Sequence, residues 1–174
     1  MGIHLQTRLD NAKSELDNFY AQKSIQEDDK IKNLACDYLE WVGTKTNLVL
    51  NEKDFTVPEG AVIKRGYVFW TEFGYNVAEE YGGRHPSLVL RRGGDTAIVL
   101  PLSTQEPTSS QLESGIYVEI KKVYGLKPLK RWVNVLNATP VSIQRFDYSN
   151  EPANVKGFVL DEINEAMKKS GLWR

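Results

Sequence analysis

The chain is short of most residues that carry familiar chemistry. It has one cysteine, Cys36, in 174 residues, which excludes an internal disulfide and a cysteine-rich zinc site. It has two histidines, His4 and His85. The spacings H-x-E and H-E-x-x-H are absent, so the common catalytic zinc arrangements are not available. Nothing matches G-x-x-x-x-G-K-[ST], G-x-G-x-x-G or G-x-S-x-G, which argues against a P-loop nucleotidase, a dinucleotide enzyme and an α/β-hydrolase. No stretch approaches the ~20 apolar residues of a membrane span. The opening MGIHLQTRLD lacks the apolar core of a secretory signal. There is no internal repeat, no low-complexity tract and no proline before Pro58. These absences set the expectation of a reduced, cytoplasmic protein with no zinc site, no dinucleotide cofactor and no membrane association.

What is present is an ordinary globular composition, 41% hydrophobic and 26% charged, which rules out wholesale disorder and collagen-like sequence. The length suits one domain with an extension. A net charge of −1 hides an asymmetry. Residues 1–60 hold 7 Lys/Arg against 11 Asp/Glu, and residues 61–174 hold 15 against 12. A basic C-terminal part is compatible with an anionic ligand.

The first ~43 residues predict a helical hairpin. Leu5, Leu9, Ala12, Leu16 and Phe19 make one apolar stripe, and Ile31, Leu34, Ala35, Tyr38, Leu39 and Val42 make a second. Ser24, with Glu27 three residues on, is the expected cap of the second helix, and Gly43 its expected stop. The hairpin either packs on the rest of the chain or serves self-association or a partner. Residues 44–60 read as a connection, so the predicted division is a helical extension over 1–60 and a domain over 61–174.

From residue 61 the pattern is strand-like. Val62, Ile63, Tyr67, Val68, Phe69, Trp70 and Phe73 are β-branched or aromatic, interrupted by Gly66. Residues 87–91 and 96–102 flank Gly93-Gly94-Asp95 and predict a hairpin. Residues 116–122 alternate, Trp132, Val133, Val135 and Leu136 mark another strand, and Val141 and Ile143 a short one. Residues 158–171 form an amphipathic helix. Short strands closed by one helix predict a mainly β, α+β fold, a small bent barrel.

The only internal histidine lies in Glu79-Glu80-Tyr81-Gly82-Gly83-Arg84-His85-Pro86. Two carboxylates, two glycines, an arginine and a histidine share eight residues. Pro86 holds His85 extended, and the glycines allow a sharp turn or close approach to a ligand. A turn with solvated charges would use the same residues. Trp70 and Trp132, in predicted strands, are expected in the core or at a dimer interface.

The order of segments resembles the MazF/PemK family of toxin endoribonucleases. Ile63-Lys64-Arg65-Gly66-Tyr67-Val68-Phe69-Trp70 is similar to that family's KRGDVYW-like opening strand. A loop with a glutamate and a Gly-rich turn follows. Then come a basic residue and proline opening SLVL, the strand Thr96 to Thr104, the segment Asn137 to Ile143 and the closing helix. The resemblance spans residues ~61–170. It implies an SH3-like barrel, commonly a homodimer. It implies metal-independent cleavage of single-stranded RNA (mRNA) to a 2′,3′-cyclic phosphate and a 5′-hydroxyl, and a cognate antitoxin protein. It places the family's catalytic Ser/Thr on Ser103 and its loop glutamate on Glu80. The family's arginine before the strand proline is here His85, with Arg84 one residue earlier. Adjacent residues of an extended segment face opposite sides, so Arg84 does not replace it unless the loop bends.

Cleavage through the 2′-hydroxyl needs a base, a stabiliser for the phosphorane and a proton for the leaving 5′-oxygen. An imidazole with an ordinary pKa near 6.5 suits proton transfer. His85 is therefore expected to be the base or acid, Arg84 to hold phosphate oxygens in a forked contact, and Ser103 to donate to the same phosphate. Glu80 would orient His85 or pair with Arg84 or Arg65. Substrate contacts are expected from Arg65, Tyr75, Tyr81, Thr104 and Gln105. Arg91, Arg92, Lys121, Lys122, Lys130 and Arg131 could follow phosphates. The alternative is a non-catalytic barrel that binds a protein, because fold does not fix activity.

Overall fold

The computed structural model describes residues 2–78 and 80–171; Glu79 lies outside the described residues. The chain divides into two compact units, Met1–Asn47 and Leu48–Arg174.

The first unit contains α1 (Gly2–Ser24) and most of α2 (Asp29–Leu50). Ser24 ends α1 instead of capping α2, and its hydroxyl donates back to the Ala21 carbonyl. Asp28 does the capping. Its carboxylate accepts the Lys30 N–H at 2.8 Å and its carbonyl accepts the Ile31 N–H at 3.0 Å. Gly43 does not stop α2, which continues to Leu50. One interior glycine costs a helix only ~1 kcal/mol, too little to end it. Residues 44–50, expected to be connection, are therefore helical. The rings of Phe19 and Tyr38 stand 4.7 Å apart, yet Ala35 is the only buried one among the unit's described residues.

The second unit is built on an antiparallel sheet ordered β6-β3-β2-β1-β7. Its strands are β1 (Tyr67–Gly74), β2 (Gly83–Gly93), β3 (Thr96–Pro101), β6 (Thr139–Ser142) and β7 (Ala153–Asn154). A two-stranded ribbon of β4 (Tyr117–Ile120) and β5 (Arg131–Asn134) stands beside it, and α4 (Gly157–Lys169) closes the unit. Between β3 and β4 lies the short α3 (Ser109–Glu113), held by a Thr108/Gln111 capping box. Neither α3 nor β7 is foreseen by the apolar pattern. The α+β class holds. The ribbon meets the sheet region at a single bridge, Ser103–Trp132, and the segment between its strands at another, Tyr124–Asn154, rather than along a continuous ladder.

Two strand boundaries differ from the pattern for local reasons. Residues 61–66 are not strand, because Gly66 adopts φ +89° and turns the chain. The fifth strand stops at Asn134, whose side chain accepts the Leu136 N–H at 3.0 Å and starts a 3₁₀ turn over Val135–Asn137.

Alternation along the sheet gives it two apolar faces. Val68, Leu88, Leu100 and Leu102 pack with Val118, Ile120 and Val133 of the ribbon and with Val159, Ile163 and Met167 of α4. Phe69, Phe73, Val89, Val99, Val141, Ile143 and Phe146 form a second cluster. Each fully buried aliphatic contributes about 1.5–3 kcal/mol. Among the described residues, no helix is long and apolar enough to cross a membrane.

Candidate functional site

Two strand ends meet where Gly83–Pro86 enters β2 and Pro101–Ser103 leaves β3. Ser87 pairs with Pro101, and the Leu102 N–H donates to the Pro86 carbonyl at 2.9 Å. His85 and Ser103 each lie two residues beyond the last pair of that register. At Ser103 the chain changes partners, because its N–H and C=O bond the Trp132 backbone at 2.9 and 2.8 Å. Ser103 therefore sits at the junction of sheet and ribbon, where backbone bonds on both sides fix it.

The Gly-rich loop is needed for steric reasons. A Cβ on Gly82 would stand 2.7 Å from the Gly74 carbonyl oxygen, and Gly83 has φ +77°. The tight turn brings Tyr81 edge-on to His85, ring centroids 4.9 Å apart. Beside them lies a buried hydroxyl pair, Thr71 and Ser87, 2.5 Å apart. Thr71 is the cross-strand partner of His85.

Burial pushes the His85 imidazole below its ordinary pKa, while a hydrogen bond to the Gly82 backbone and the Glu72 carboxylate oppose the shift. The ring is half-buried, and its neutral form is favoured. In the neutral ring one nitrogen carries the proton and the other keeps its lone pair. Burial also pushes the Tyr81 phenol up to about 12; it stays protonated and donates to the Leu102 carbonyl at 3.4 Å. The Ser103 hydroxyl accepts the Gln105 N–H at 3.0 Å and retains a proton to donate.

A cleft of about 790 Å³ is lined by Trp70, Arg84, His85, Ser103, Arg131 and Asp147, with Thr104 and Gln105 at its side. Arg84 leans away from His85. It pairs with Asp147, and its guanidinium lies 5.3 Å from the centre of the Trp70 ring. Asp147 is held by two bonds from Ser149, hydroxyl and backbone, and these with Arg84 keep its carboxyl below the usual range.

The sequence-derived candidates thus separate. His85, Ser103, Arg84, Thr104 and Gln105 line one cleft, and Tyr81 backs it. Glu80 does not reach them. Its carboxylate accepts the Val77 N–H at 3.1 Å and it lines a different cleft with Arg145 and Phe73. Nor does it pair with Arg84 or Arg65. Arg65 bonds Asn164 at 2.7 Å and the Leu90 carbonyl at 3.3 Å, against α4. Tyr75, 39% exposed, is not among the residues lining this cleft.

Two contributors escape sequence reading, and two that it names gain a more definite place. Glu72, the carboxylate whose charge acts on His85, interrupts an otherwise apolar strand, and that interruption is the one signal for it. Asp147 comes from a distant loop, tied to β1 by its N–H to the Trp70 carbonyl at 2.8 Å. Trp70, expected in the core or at a dimer interface, is 38% exposed, which excludes the core. Arg131, expected among the surface cations, is 5% exposed. It donates to the Lys127 and Leu129 carbonyls at 3.1 and 2.9 Å, and no carboxylate forms an ion pair with it among the described residues.

Comparison with curated proteins finds no match. Among solved structures the chain is similar to MazF (Form-I) from Deinococcus radiodurans. The identity is 18%, the match covers 65% of this chain and 99% of that one, and the TM-score is 0.51. Residues 64–170, more than half of the chain, match the family described as PemK-like, MazF-like toxin of type II toxin-antitoxin system. By that match the chain belongs to the PemK-like, MazF-like toxin family.

Proposed function

We propose that the chain is a toxin endoribonuclease that cleaves single-stranded RNA, mRNA in particular, without a metal. The observation that carries this reading is that His85 and Ser103, each two residues beyond the last β2–β3 pair, line one cleft together with two guanidinium groups. Neutral His85 takes the 2′-hydroxyl proton through its free ring nitrogen. The 2′-oxygen then bonds to phosphorus and the P–O5′ bond breaks in line, leaving a 2′,3′-cyclic phosphate. The departing 5′-oxygen takes its proton from water in the open cleft.

The non-bridging oxygens gain charge as this happens. The Ser103 hydroxyl and the Arg131 guanidinium, both fixed by backbone bonds, are suited to stabilise them without reorganising. Arg84 joins them only by leaving Asp147. Glu72, rather than Glu80, is the carboxylate that favours the protonated imidazole. The same reading includes a cytoplasmic setting, a homodimer, and a cognate antitoxin that covers the cleft.

The test is incubation of the protein with RNA in EDTA, with the product ends identified. Cyclic phosphate ends are expected, and H85A should cleave roughly 10²–10⁴-fold more slowly. Equal cleavage by H85A would remove His85 from the mechanism. The engagement of Arg84 by Asp147 favours one other reading, a non-catalytic barrel that poisons a protein target. Undiminished growth arrest by H85A, with no RNA cleaved by either protein, would select it.

A further inference from the structure

A second basic surface, none of whose lysines lines the cleft, lies at the sheet's β7 edge. Tyr67 pairs with Asn154 in the β1–β7 ladder, and Tyr124 exchanges backbone bonds of 2.8 and 2.9 Å with the same Asn154. Cross-strand partners share a face. Ala153 and Val155, on either side of Asn154, point into the core. Tyr67, Asn154 and Tyr124 therefore form a row on the face opposite Ala153 and Val155, spanning two strand spacings, about 9.6 Å, with Tyr67 half-buried against the second apolar cluster and Tyr124 exposed. Gly125 fixes the row's end, because a Cβ there would stand 3.2 Å from Ala153.

Three lysines gather on this row. Lys64 Nζ lies 4.5 Å from the Tyr67 ring centre. Lys122 and Lys156 Nζ lie 4.7 and 4.9 Å from the Tyr124 ring centre. Lys122 stands two residues from Tyr124, and Lys156 two from Asn154, which is the spacing for one face. Lysines at strand ends usually turn separately into water. Here two ammonium groups share one ring despite their repulsion. None of the three forms an ion pair among the described residues. The ring faces are the partners these charges have on this surface.

We infer that Lys64, Lys122 and Lys156, positioned by Tyr67 and Tyr124, form a phosphate-binding surface for a single-stranded nucleic acid, separate from the cleft. Discrete cations in a row suit a regularly charged backbone, and contacts to phosphate carry no sequence preference. The surface extends the hold on a long strand and does not take part in bond cleavage.

Binding of fluorescein-labelled oligothymidylate DNA, followed by anisotropy over a range of KCl concentrations, tests this. DNA lacks the 2′-hydroxyl, so the readout is independent of the cleavage mechanism and of its failure. The triple variant K64Q/K122Q/K156Q should bind at least about tenfold more weakly at low salt. Its log K against log salt slope should be shallower by about 2, at ~0.7 for each phosphate no longer neutralised. A control variant of the helical unit, K13Q/K30Q/K32Q, should change neither quantity. Unchanged affinity and slope in the first variant, with an unchanged circular dichroism spectrum, would overturn the inference. So would an equal loss in the control. So would poly-glutamate of the same length binding the wild type as tightly as the oligonucleotide and losing affinity equally in the triple variant, since the surface would then be an acidic-protein site.

Discussion

The helical unit and the sheet unit share a similar kind of apolar patterning and use it differently. Leu5, Leu9, Leu34 and Leu39 recur at helical spacing, yet all are at least 36% exposed. Leu88, Leu100 and Leu102 recur at strand spacing and are no more than 2% exposed. Periodicity specifies which element forms and which side is apolar. It does not specify that anything covers that side. Burial needs a second surface, and only the sheet has one on each face.

The sharpest way to break that contrast is to remove the same side chain from each unit. Leu100→Ala should destabilise the protein by about 2–5 kcal/mol, through forfeited transfer energy and the cavity left behind. Leu9→Ala should change stability by no more than about 0.5 kcal/mol. Urea denaturation with fitted slopes measures both. A cost at Leu9 comparable to that at Leu100 would mean that the helical stripe is covered in solution.

A smaller effect is expected where the sheet unit turns from stability to chemistry. Gly82→Ala drives a Cβ toward the Gly74 carbonyl, backbone against backbone, so the loop rather than a side chain has to move. Overpacking of this kind costs about 1–3 kcal/mol. Because the loop sets the ring of His85 against Tyr81, RNA cleavage should fall by more than the loss of folded protein accounts for. Cleavage per folded molecule equal to wild type would show that the turn serves only the fold.

How much was legible follows the same division. The β2–β3 hairpin and α4 come from local signals, alternation and turn residues, and the proline at a strand entry marks where His85 stands; Ser103 was singled out only by the family resemblance. The boundaries at Ser24 and Gly43 misled because cap residues are permissive, and Asp28 competed successfully with Ser24. Glu80 misled because proximity in sequence to His85 is not proximity across a loop that turns at two glycines. Asp147 was not legible at all, since 63 residues separate it from Arg84. Arg131 was legible as a cation that could follow phosphate but not as a buried one: arginine normally signals surface, and the carbonyls of Lys127 and Leu129 make its burial tolerable.

The mildest effect sharpens the contrast by using His85 as a probe of the buried unit. Burial lowers its pKa in the folded chain, so between that value and 6.5 the unfolded chain binds more protons than the folded one. Stability from this residue is therefore fully present above about pH 6.5 and is lost as pH falls through the folded pKa. The acid limb of kcat/KM for RNA should likewise fall below about 6.5, because the neutral ring survives to lower pH. Glu72→Gln removes a charge that favours the imidazolium. It should move that limb further down, with little change in the plateau above about pH 7. A limb at or above about 6.5 in the wild type would mean that the imidazole is better solvated than its place between Tyr81 and Thr71 implies. An upward movement in Glu72→Gln would mean that the carboxylate acts on His85 by holding its position, not through its charge.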